Sequence, residues 1–174
     1  MKFFKIAFFI LTLSIISCDK KSISKPEDIG KNVFELLKNI DKKTVADYNL
    51  EVITYDELKA LANNKKAKLG DSRSEMQGMT SEKFKSLSLI HLHKIQNGGK
   101  KFNIDWSKIT YSNFVFDIFD SNIPDFGYES KFVKGETYFK NTDGKIYFVK
   151  SISYYDGKGY KTVLVTEVDP KDRS

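Results

Sequence analysis

Residue types that commonly do chemistry are few in this chain, and their spacing narrows what they can do. Two histidines occur, His91 and His93, and one cysteine, Cys18. Residues two apart on a helix point in nearly opposite directions, so His91 and His93 cannot grip one metal ion, which needs spacing of three or four. His91 shares a helical face with Phe84, Leu87, Leu92 and Ile95. A satisfied core imidazole is the plainer reading there, with a working base or ligand as the alternative. As a base it would need a carboxylate, and Asp117 is the acid paired with it as a candidate catalytic residue. Glycoside cleavage by paired acids would draw on Asp105, Asp117, Glu129 and Glu136, each more easily explained as a solvated strand or loop charge.

Asp117, Asp120, Asn122 and Asp125 crowd a strand end as oxygen ligands for calcium would, yet turn chemistry explains Asp120 to Asp125 without an ion. No serine lies in a G-x-S-x-G elbow. Gly157-Lys158-Gly159 joins two strands, whereas a phosphate cradle needs a helix to follow it. No metal and no cofactor is expected. What remains is aromatic. Tyr138, Tyr147, Tyr154 and Tyr155 fall on strands, where a ring with a wet hydroxyl serves either a ligand-contact surface or cross-strand packing.

The basic set of 29 residues contains only two arginines, Arg73 and Arg173. Phosphate and base-edge recognition favours the arginine fork, and no basic stripe interleaved with aromatics is present, which argues against nucleic acid.

The elements that must position these residues follow from periodicity. Met1–Lys5 is a short basic head, Ile6–Ile16 an almost wholly apolar run, and Ser17-Cys18 closes it: the layout of a secretory signal peptide. Eleven residues rise about 16 Å as a helix, roughly half a hydrocarbon core. Asp19 to Lys25 reads as a polar tether. Ser24-Lys25-Pro26-Glu27 then starts an amphipathic helix to Ile40. Residues 41–53 carry too few apolar positions to decide. Thr54-Tyr55-Asp56-Glu57 is a capping box opening a short helix to about Asn63. Asn63 to Met79 reads as a mobile loop. A third helix runs from Thr80 or Ser81 to Gln96, stopped by Asn97-Gly98-Gly99.

Four strands follow: Ile109–Phe119, Phe132–Lys140, Lys145–Tyr155 and Tyr160–Val168. Asp120–Gly127, Asn141–Gly144 and Asp156–Gly159 connect them. In the first strand Phe114, Phe116 and Ile118 take one side, and Tyr111, Val115 and Phe119 the other.

Ile15-Ile16-Ser17-Cys18 resembles the lipobox of bacterial lipoproteins, in which the cysteine is lipidated and becomes the new N-terminus. The resemblance implies a diacylglyceryl group on Cys18, with palmitate-type acylation, and a bilayer as partner. It makes residues 1–17 a signal peptide, 18–25 a lipidated tether and 26–169 a single α+β domain in the cell envelope, periplasmic or surface-facing. Cleavage removes Lys2 and Lys5 and no acid, so the formal charge goes from +6 to +4. Two or three acyl chains hold a protein durably where one does not.

Helices first, then a curved antiparallel β-meander packed under them, resembles the cystatin-like and nuclear transport factor-like architecture over residues 26–169. That architecture includes both enzymes and binders. The expectation is a non-catalytic envelope lipoprotein that binds a partner protein or small ligand. The alternatives are a small hydrolase or isomerase with a cone-shaped pocket holding His91 and Asp117, and an immunity-type or inhibitor lipoprotein.

Overall fold

A four-stranded antiparallel sheet forms the frame, with strands in sequence order: β1 (Thr110–Ile123), β2 (Tyr128–Lys140), β3 (Ile146–Tyr155) and β4 (Tyr160–Pro170). The computed structural model describes residues 22–123 and 127–172. The signal segment 1–17, Cys18, residues 19–21, and Pro124, Asp125 and Arg173 lie outside the described residues. Among the described residues five helices precede the sheet: α1 (Ile29–Leu37), α2 (Val45–Glu51), α3 (Tyr55–Asn63), α4 (Ser72–Gly78) and α5 (Ser81–Lys101). Single 3-10 turns at Pro26–Asp28 and Ile40–Lys42 flank α1. The fold is α+β.

Alternation along the strands decides which side is buried. Val133, Thr137 and Phe139 of β2 align with Ser153, Val149 and Tyr147 of β3, and all six are buried. From the helices, Ile29, Val33, Leu36 and Leu37 of α1 join the same core, as do Leu92 and Ile95 of α5. Spacing of three and four along each helix brings these residues onto one stripe.

Several elements differ from expectation. The first helix is shorter: no side chain caps it at Lys25, a 3-10 turn precedes it, and Asn39 in the left-handed region (φ 56°) ends it. Residues 45–51, undecided from periodicity, are helical because Thr44 and Asp47 form a reciprocal capping box. The segment 63–79 is no open loop. Leu69 bridges to Ser130, Met76 and Met79 are buried, and Ser72–Gly78 is helical. Arg73 holds it in place by donating to the main-chain oxygens of Ala62 (2.7 Å), Asn64 (3.1 Å) and Ala67, which occupies carbonyls left open at and beyond the end of α3.

The strand pair β1–β2 is longer than expected and stays in register to Ile123↔Tyr128, so its connection is short. A bulge between Tyr111 and Asn113 reverses the side assignment of Tyr111. Tyr111 aligns with Phe139 and Phe114 with Thr137, so both face α1, where Tyr111 meets Phe34 at 5.5 Å and Phe114 packs against Gly30.

The third expected helix also overruns its stop signal. Gly98 and Gly99 lie inside α5, which continues to Lys101. They are there for space: a Cβ on Gly98 would sit 2.8 Å from Val168 Cβ, and one on Gly99 would collide with the Trp106 indole. Gly78, at the end of α4, has nothing within 4 Å of such a Cβ. Alanine is the better helix former by about 1 kcal/mol. Gly99→Ala is therefore expected to destabilise by about 1–3 kcal/mol through overpacking, whereas Gly78→Ala should be neutral or mildly stabilising. Urea unfolding midpoints of the two variants check this, and equal shifts would contradict the packing argument.

Candidate functional site

A recess of about 230 Å³ opens between α2, α3, α4, α5 and the β3–β4 pair. Its walls come from short-range spacing. On α5, Phe84, Leu87, Ser88 and His91 succeed one another at intervals of three and one, so a single stripe lines it. Thr80 starts that helix, its hydroxyl accepting from the Lys83 amide at 3.2 Å. On α4, Ser72, Glu75 and Met76 face inward, and Met79 follows one residue past the helix end. The Met79 carbonyl is held by the Tyr55 hydroxyl (3.1 Å) and the Lys59 ammonium (3.2 Å). The sheet contributes Ile152, Tyr154 and Leu164.

The lining is mostly hydrocarbon and thioether, with polar groups at few points. The Tyr154 hydroxyl shares a 2.7 Å hydrogen bond with Ser72, which fixes its ring against the recess. His91 Nδ1 lies 3.2 Å from Thr166 Oγ1. Tyr48 also lines the recess; its hydroxyl donates to the Val165 carbonyl at 2.6 Å and accepts from the Val165 amide at 3.3 Å. That pair of bonds satisfies main-chain groups of β4, a strand at the sheet's edge. Burial drives the Tyr48 phenol well above its ordinary range, so it stays protonated and keeps donating.

The expected site residues are not brought together. His91 is on the recess wall, but Asp117 is exposed on β1 opposite Lys134 and takes no part in the recess. β1 and β4 are opposite edges of the sheet, so Asp117 on β1 and His91, which reaches Thr166 of β4 from α5, are kept apart by β2 and β3. Of the four tyrosines, only Tyr154 lines the recess. Tyr147 is buried on the other side of the same strand, and Tyr155 packs edge-on to Tyr160. Tyr138 packs at a tilt against Phe148 and donates to Glu136 at 2.6 Å, a bond that, with some burial, leaves its phenol pushed up to about 12.

The remaining carboxylates serve their neighbours. Asp105 accepts from Ser107 and pairs with Lys108 at 3.1 Å, Asp120 pairs with Lys131 at 2.7 Å, and Glu129 with Lys68 at 3.6 Å. Among the described residues no three histidine, cysteine or carboxylate side chains gather to hold a metal. Nor is any described helix long and apolar enough to cross a membrane. The residues missed from sequence include Ser72, Glu75, Ser88, Met76 and Met79; for the two methionines, spacing of three inside an otherwise polar stretch was the available signal. The chain matches no protein-family profile, no curated protein and no solved structure.

Burial, and then the positive charge of Lys94, hold the His91 imidazole below its ordinary value of 6.5. The unfolded chain then takes up this proton at a higher pH than the folded one. Stability is thus lost as pH falls from about 6.5 through the lower folded value. His91→Gln should flatten that part of the stability curve, while leaving the steeper loss below about pH 4, where carboxylates titrate, unchanged. Urea midpoints at pH 7 and pH 5 for both proteins give the comparison. An equal drop in both would assign the effect to other groups.

Proposed function

We propose that the protein is a cell-envelope lipoprotein, anchored through lipid on Cys18, whose α+β domain binds a small and largely apolar ligand in the recess between α4, α5 and the sheet. The recess carries the binding half of this reading. An apolar cavity of about 150 Å³ suffices for a benzene ring, so about 230 Å³ suits a ring system or short acyl chain. Met76 and Met79 are flexible thioethers that repack around different shapes, as binding surfaces of broad tolerance do. Ser72, Ser88 and Tyr154 supply a few hydroxyls that would orient a polar end.

The anchoring half rests on residues 1–18. What supports a cystatin-like or nuclear transport factor-like domain is the order of elements, with α5 running through Ile104-Asp105-Trp106 into β1 of an antiparallel meander. A second reading, a small hydrolase or isomerase, has His91 on the recess wall in its favour. Its base would lean on Thr166, and Glu75 rather than Asp117 is the acid of the same lining. A threonine hydroxyl steadies an imidazole far less than a carboxylate steadies an imidazolium, so binding is the better supported role.

The chain lacking residues 1–18 should bind the fluorescent probe anilinonaphthalene sulfonate saturably at one site. Ser88→Leu, which fills the recess from α5, should weaken that binding at least tenfold with little change in thermal unfolding; His91→Gln should retain it. Unsaturable fluorescence, or an unaltered Ser88→Leu variant, would count against a ligand site. Separately, Cys18→Ser is expected to abolish incorporation of labelled palmitate and to leave uncleaved precursor. Label persisting in that variant would end the anchoring argument.

A further inference from the structure

The chain is tied to the sheet almost as soon as its described part begins. Ile23 forms an antiparallel bridge with Tyr160 at the start of β4: its amide donates to the Tyr160 carbonyl at 2.9 Å, and its carbonyl accepts from the Tyr160 amide at 2.8 Å. The Ser22 hydroxyl donates to the Asp156 carboxylate. Gly159 makes room for this strap, since a Cβ there would lie 2.6 Å from the Ile23 carbonyl oxygen. The tether expected over residues 18–25 is therefore at most residues 19–21. Four Cα-to-Cα steps from Cys18 to Ser22 reach about 14 Å when fully drawn out. With lipid on Cys18, the β3–β4 turn cannot stand further than that from the headgroups, whatever path the three residues take.

The same end of the molecule is rich in lysine. Lys158 is in the turn itself. Residues 64–68 pack onto that turn: the Asn64 side chain donates to the Asp156 carbonyl (2.7 Å), the Lys68 amide to the Tyr155 carbonyl (3.0 Å), and Lys66 lies against Gly157. Lys65, Lys66 and Lys158 are exposed, as is Lys25 beyond the strap, and none of the four forms an ion pair among the described residues. Two acids at this end are occupied. Asp156 turns inward to Ser22 and to the amides of Lys158 and Gly159, and Glu57 pairs with Lys161 at 3.3 Å. Glu27, Glu51 and Asp71 are the exposed acids set against the four lysines, Glu51 lining one surface hollow with Ile23 and Tyr160 and Asp71 another with Lys65.

We infer that this end, with Lys25, Lys65, Lys66 and Lys158, is the membrane-facing surface of the domain and rests on anionic phospholipid headgroups. The inference depends on the anchoring reading above. Short reach brings the surface to the bilayer, and the lysines hold it face down, since a lysine near an anionic leaflet gains roughly fivefold in partitioning. The ten residues of β3 span about 33 Å, so the opposite turn, Asn141–Gly144, is held well away from the lipid.

The test uses full-length protein purified from its membrane, its acylation read by intact mass, and reconstituted in vesicles of phosphatidylethanolamine with or without phosphatidylglycerol. Ser24→Cys or Thr142→Cys carries a fluorophore, and headgroup-linked nitroxide lipids quench it. Strong quenching at position 24 and little at 142 is expected in phosphatidylglycerol vesicles. That contrast should fall when Lys65, Lys66 and Lys158 are changed to Gln together, about fivefold in orientational preference per lysine, and likewise in vesicles without the anionic lipid. Equal quenching at both positions on acylated protein, or a contrast indifferent to the lysines and to lipid charge, overturns this surface and leaves anchoring intact. An intact mass showing no acyl group on Cys18 overturns anchoring, and the surface with it.

Discussion

Two glycines set how closely the longest helix can approach the sheet. At Gly98 and Gly99 the backbone of α5 reaches side-chain contact with Val168 of β4 and with the Trp106 ring. That approach lets Leu92 and Ile95 enter the core and lets Trp106 reach Phe139 at 5.5 Å near the C-terminal end of β2. Side chains at those two positions would lift the C-terminal half of α5 away. The recess depends on the same seat, because its α5 wall is the N-terminal continuation of the helix so anchored.

The two edges of the sheet are treated differently. At β4 the main chain of Val165 is closed off by the Tyr48 hydroxyl, and Ile23 pairs with Tyr160, so little of that edge remains to add another strand. At β1 the outer half reaches beyond the helices and leaves Val115, Ile118, Phe119 and Ile123 exposed. Phe119 stacks on Phe132 at 4.8 Å, with Lys134 over both rings at 5.0 and 5.6 Å. The lysine stem covers hydrocarbon and its charge discourages edge pairing. Asp120 and Lys131 act in the same way one step further along.

These choices put polar chemistry on β1 and the enclosed space on the β4 side. Asp117 is solvated, while His91 is half-enclosed and bonded to a neutral hydroxyl. An arrangement of that kind holds and orients a ligand more readily than it moves protons. A lipid anchor at Cys18, if present, would join the domain at the β3–β4 turn, through a strap whose hydrogen bonds leave few residues for independent swing.

Local chemistry was enough to assign α3 from Thr54 and Glu57, and the hairpin turns at Asn141–Gly144 and Asp156–Gly159. Each is set by neighbours within four residues, and the sequence displays those neighbours directly. The helical face of α5 was readable for the same reason. Tertiary contacts decided the rest. Gly98-Gly99 has the composition of a stop, but the space beside Val168 and Trp106 gives it another use. Residues 63–79 have the composition of a loop, but Arg73, Leu69 and the two methionines are satisfied by groups distant in sequence. The recess itself joins four helices and two strands, and a bulge at Tyr111 changed which side that ring took. Enclosed volume and register are properties of segments brought together in space, so no window of the sequence, however well patterned, contains them.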